Sequence, residues 1–123
     1  MSVEYRYQEV SAVFEEWESG TEMTRSMAVI VAESIDVLMD SELRRINMLM
    51  KSDPYGAFTQ LMRLTTFLNA AIAQVPSIIG RLQRWTSQVH ATVKTLANRL
   101  GADSFSIGVG FPWAVSIELS WNI

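Results

Sequence analysis

No cysteine occurs in the 123 residues. That excludes disulfide frameworks, thiolate nucleophiles and Cys-based zinc or iron–sulfur sites. The single histidine, His90, excludes a multi-histidine metal site within one chain. The first residues, with Glu4 and Glu9, lack the basic-then-apolar pattern of a secretory leader. Together with the missing cysteines, this makes the cytoplasm the expected location. The uncharged run between Arg63 and Arg81 contains Thr65, Thr66, Asn69, Gln74, Pro76 and Ser77. It falls short of the ~20 mostly apolar residues of a spanning helix. It reads as a buried helix and a corner, with membrane contact as the lesser reading. Gly-x-Ser-x-Gly, Walker-type, His-Glu-x-x-His and paired Glu-x-x-His patterns are also missing, and no long repeat is visible. No catalytic residue, cofactor or metal is therefore expected.

What is present is apolar. Hydrophobic residues make up 49% of the chain and charged residues 19%, which excludes a disordered tail. A folded chain of this size buries roughly two-thirds of its extended surface. Some apolar area is expected to remain for a partner.

The charges are segregated. Residues 1–42 carry ten acids against Arg6 and Arg25, a net −8, and residues 43–123 a net +5. No acid occurs in 54–102. Such asymmetry can mark a nucleic-acid partner. A −8 stretch in the same small chain repels phosphate, so acidic and basic halves packing together is the simpler reading.

Helical spacing runs through residues 2–101. In 2–19, Val3, Tyr7, Val10, Phe14 and Trp17 form a seam, with Ser2 as cap and Gly20 as stop. In 22–51, capped by Thr21, Met27, Val31, Ile35, Leu38, Met39, Leu43, Ile46 and Met50 follow, with a shift of face near Leu38. One helix of that length spans about 45 Å and needs a partner along its stripe. Asp53-Pro54 opens a third helix. It carries two seams: Phe58, Leu61, Thr65, Leu68, Ile72 and Val75, then Leu64, Phe67 and Ala71. Apolar residues on two sides mark a central helix. Pro76 interrupts the pattern, leaving a fold-back or a kinked continuation open. The fourth segment, 77–100, carries Ile78, Leu82, Trp85, Val89, Val93, Leu96 and Leu100, with Gly101 as stop.

After Ala102 the period becomes two. Phe105, Ile107, Val109 and Phe111 alternate with small residues; after Pro112, Val115, Ile117, Leu119 and Trp121 do the same. This predicts an antiparallel β-hairpin over 104–123. Its polar face carries only Glu118 and its edges lack lysine, the usual protection against edge pairing. The candidate oligomer interface is therefore Phe105, Ile107, Val109, Phe111, Trp113, Val115, Ile117, Leu119 and Trp121.

Three further groups have chemical potential. Glu33, Asp36 and Asp40 fall on one face of a continuous helix, a row able to hold a hard cation or act as an acid–base pair. A solvated helix face is the simpler reading. His90 has no acid near it in sequence. Arg81, Arg84, Lys94 and Arg99 lie off the fourth seam beside Trp85, a basic stripe too sparse to argue for phosphate binding.

The expectation is a single domain, 1–123, of α+β class and mainly α. An elongated bundle of three to four long helices, 2–101, precedes the hairpin. The expected function is a small non-enzymatic homo-oligomeric interaction or scaffold protein. The alternatives are a membrane-acting helical hairpin around Ala70 to Ile79 and a ligand- or metal-binding bundle.

Overall fold

The computed structural model describes residues 3–82, 86–102, 104–110 and 114–120, with side chains described for 6–82 and 87–102. The helices are α1 (Val3–Glu18), α2 (Arg25–Glu33), α3 (Ile35–Met50), α4 (Pro54–Gln74), α5 (Ile78–Leu82) and α6 (Thr86–Leu100). Strands β1 (Ser104–Gly110) and β2 (Ala114–Ser120) follow.

Glycine sets two of the helix ends. Gly20 sits at φ +109 and Gly101 at φ +74, backbone that a side chain disfavours. Past α1, Gly20 N–H donates to the Trp17 carbonyl at 3.0 Å and Thr21 N–H to Glu16 at 3.3 Å. Past α6, Gly101 donates to Asn98 at 3.3 Å and Ala102 to Ala97 at 2.9 Å. Each pair is a Schellman closure that satisfies carbonyls otherwise left open.

The long helix expected over 22–51 does not form. It starts later, at a cap where Thr24 Oγ1 accepts from Met27 N–H at 3.1 Å, and not at Thr21. It then breaks at the buried Ser34 (φ −114, ψ 15), whose N–H is shared between the Ile30 and Val31 carbonyls. Met27, Ala28 and Val31 bury with α2; Ile35, Leu38, Leu43 and Ile46 bury with α3. The bend lets both short helices reach one core. The 16 residues of α3 then rise about 24 Å, not 45 Å. The partner that a 45 Å stripe demanded is no longer required.

Helix α4 is central. Asp53 Oδ1 caps it by accepting from Gly56 N–H at 2.9 Å, with Pro54 in the first turn. Leu61, Thr65, Leu68 and Ile72 of one seam are buried, as are Leu64, Phe67 and Ala71 of the other. Both sides meet neighbours inside the chain, because α4 lies against α2, α3, α5 and α6. Val75 takes the extended conformation (φ −134, ψ 85) that a residue before proline favours. Beyond it the chain folds back, and α6 packs on α3 and α4. Residues 83–85, Trp85 among them, lie outside the described residues.

The α+β class is corrected by these helices. From 3 to 102 the described residues form six helices with no strand and no sheet, so the body of the protein is all-α. Helices α2, α3, α5 and α6 lie against α4, and β2 reaches α4 from beyond that body. Beyond that body β1 and β2 run antiparallel, Ile107 opposite Ile117 and Val109 opposite Val115. Two strands are a ribbon too small to define a layer. The nine candidate interface residues, Phe105 to Trp121, lie outside the residues whose side chains are described.

Candidate functional site

One end of the core is tightly keyed. Phe67, fully buried on α4, meets Phe14 edge-on at 4.7 Å and Trp17 at 5.4 Å between ring centroids. These contacts hold α1 to α4. The Glu18–Arg63 ion pair, 3.2 Å, joins the same helices at the surface. It is one place where the acidic and basic halves meet inside the chain. The uncharged run read as a possible membrane element supplies the centre of this core: Leu64, Phe67, Leu68, Ala71, Ile72 and Ile78 are all buried. Among the described residues no helix is long and apolar enough to cross a membrane.

The sequence-predicted polar groups do not converge. Glu33, Asp36 and Asp40 are all exposed, and the break at Ser34 ends the common helix on which the row was drawn. Glu33 borders a hollow with Arg6, Glu9 and Arg81, whereas Asp40 borders a different groove. No group of three or more His, Cys, Asp or Glu among the described residues could hold a metal ion. His90 is exposed on α6. Of the basic stripe, the Arg81 guanidinium donates to the Ala32 carbonyl, and Lys94 and Arg99 are exposed on α6. Arg84 lies outside the described residues.

What the structure does bring together is a surface on α3. A groove of about 480 Å³ runs between α3 and α6, bordered by Asp40, Arg44, Lys51, Gln88 and Thr95. On its wall the buried Thr92 donates to Asn47 Oδ1 at 3.3 Å. A second, more apolar groove of about 580 Å³ runs on the α4 side of α3, bordered by Ile46, Leu49 and Gln60. Arg44 and Met48 border both. Met48 is therefore a ridge between two grooves, and it is 65% exposed. Tyr55, across the α3–α4 turn, is 72% exposed.

Glu42 lies at the edge of the second groove and was not singled out by sequence. It is only 8% exposed. Its carboxylate accepts from Arg45 Nη1 at 3.2 and 3.4 Å and from the Tyr7 hydroxyl at 3.5 Å. That carboxylate holds the Arg45 guanidinium above its ordinary range, against the opposing effect of partial burial. The signal was available: Glu42 is four residues from both Leu38 and Ile46 and shares their buried face. An acid at a seam position needs partners, and Tyr7 on α1 with Arg45 on α3 provides them.

Three arguments motivated the expected oligomer, and the structure alters two. The 45 Å helix is absent and the two-sided α4 is covered within the chain. The third, the apolar face of 104–123, falls on side chains outside the described residues. The Met48 surface is what the described residues add in their place. Comparison with protein-family models, with curated proteins and with solved structures gave no match to this chain.

Proposed function

We propose that the protein is a non-enzymatic interaction module that works as a homo-oligomer and docks through the exposed face of α3. The observation that carries this reading is Met48, a flexible apolar side chain left 65% exposed between two grooves. Methionine adapts to irregular partner surfaces and recurs at docking faces. Around it Arg44, Arg45 and Lys51 form a charged rim. An apolar centre with a polar rim is the usual anatomy of an interface. Light scattering on the purified chain tests the reading. Concentration-dependent mass above 13.9 kDa is the expected result, and a single 13.9 kDa species at every concentration refutes it.

A second reading, a small-molecule site, is favoured by groove volumes of about 480 and 580 Å³, within the common ligand range of roughly 300–1,000 Å³. It predicts that substitutions at Asn47 or Thr92 change ligand-induced thermal stabilisation and leave oligomeric mass untouched.

A further inference from the structure

We infer that the groove between α3 and α6 binds a small organic anion by its carboxylate or phosphate head. The inference rests on the small-molecule reading of that groove and names the ligand class. Arg44, Asn47 and Lys51 border the groove from α3, and all three are exposed. At about 100° and 1.5 Å per residue, they fall within about 60° of arc and follow one another by about 4.5 and 6 Å.

The three offer donors. Thr92 of α6 is 3% exposed, and its hydroxyl donates to Asn47 Oδ1 at 3.3 Å. The acceptor end of the amide is thereby engaged and its plane fixed. The donor end, Nδ2, meets no acceptor among the described residues. A guanidinium and an ammonium are donors without acceptor capacity. Elsewhere the chain pairs such cations, Arg45 with Glu42 and Arg63 with Glu18. Arg44 and Lys51 have no ion pair among the described residues. Two cations flanking one oriented amide, all without an acceptor of their own, are complementary to an oxyanion. Asp40 is the one acid among the described residues that border the groove. It stands seven residues before Asn47, about 10 Å along the axis, near the Debye length at physiological salt. Its repulsion is therefore weak at the Asn47–Lys51 end, and its carboxylate accepts from a hydroxyl or amine at the far end of the ligand. The buried Leu43, with Ala91 and Met48, supplies apolar surface for a carbon body.

Heteronuclear NMR of the whole chain tests this. The probes are inorganic phosphate, acetate and neutral glycerol, with chloride holding ionic strength constant. Phosphate or acetate is expected to shift the Asn47 side-chain amide and the backbone of Arg44 to Lys51 saturably, with a Kd of about 10 mM or tighter. The anion that binds tighter identifies the head, and glycerol is expected to shift neither signal. Asn47→Asp keeps an acceptor for Thr92 but replaces the free donor with a charge; Lys51→Gln removes one cation. They are expected to weaken anion binding by about tenfold or more and about threefold. Lys94→Gln, at an exposed position of α6 that does not border the groove, is expected to change nothing. Thr92→Val is expected to weaken binding and Thr92→Ser to restore it, as a positioning role requires. Thermal melts verify that each variant is folded. No saturable shift up to about 50 mM of either anion, or equal losses in Lys51→Gln and Lys94→Gln, overturns the anion site. If glycerol or a set of uncharged fragments then shifts the same residues, the small-molecule reading survives that failure. If these also leave the groove unshifted, both fall.

Discussion

The two sides of α3 differ in kind. One is sealed: Ile35, Leu38, Leu43, Ile46 and Met50 are buried, and even the acid on that side, Glu42, has its carboxylate held by two donors. The other is open, with Met48 exposed between two grooves and charges at Asp40, Arg44 and Lys51. The lesson is that a single helix can stabilise a fold with one face and leave the other to a partner. Substitutions on the two sides therefore have separable readouts.

The largest effect is expected deep in the core. Phe67→Ala removes a fully buried ring that touches Phe14 and Trp17. It is expected to cost about 3–5 kcal/mol in urea unfolding. On the sealed side of α3, Glu42→Ala strips Tyr7 and Arg45 of their acceptor. About 1–2 kcal/mol is expected, whereas Glu42→Met is expected to be near neutral, since an apolar group replaces a partnered buried charge. At the end of α1, Gly20→Ala forces a side chain into φ +109. About 1 kcal/mol is expected there. On the open side, Met48→Ser is expected to shift unfolding by less than about 0.5 kcal/mol while reducing association in light scattering. A Met48→Ser variant as destabilised as Glu42→Ala would erase the distinction between the two faces. The smallest net effect belongs to Gly56→Ala. The new methyl group displaces the Asp53 carboxylate from its capping position. It also removes a helical glycine, so two opposing terms of about 1 kcal/mol nearly cancel.

Much of this core was legible because helical periodicity records burial directly. Val10, Leu61, Leu68, Ile72, Ile78, Val93 and Leu96 all sit where their spacing put them. The Asp53-Pro54 start and the Gly20 and Gly101 stops were readable because each depends on local backbone chemistry. The break at Ser34 was not, since serine is tolerated within helices and the apolar spacing runs on past it from Val31 to Ile35. The late start at Thr24 was missed for a related reason: Thr21 and Thr24 offer equal hydroxyls, and tertiary packing selects between them. The α+β class failed because period-two alternation marks two strands at most, while 3–102 holds helices alone. The surface at Met48 was legible only in part. The spacing put Met39 and Met50 on the buried seam and left Met48 off it, but the grooves beside Met48 depend on how α4 and α6 pack.

Residues near the corner at Pro76 are clasped by the loop before α2. Arg25 Nη1 donates to the Gln74 carbonyl at 3.1 Å, and Gln74 Nε2 donates to the Met23 carbonyl at 3.2 Å. The loop before α2 and the end of α4 thus lock each other across some fifty positions of sequence. During synthesis, the amino-terminal half leaves the ribosome before Phe67 and Gln74 emerge, so neither the aromatic key nor the clasp can close. The nascent chain must carry α1 to α3 with their greasy sides unmatched until α4 emerges, and a chaperone has its opportunity in that interval.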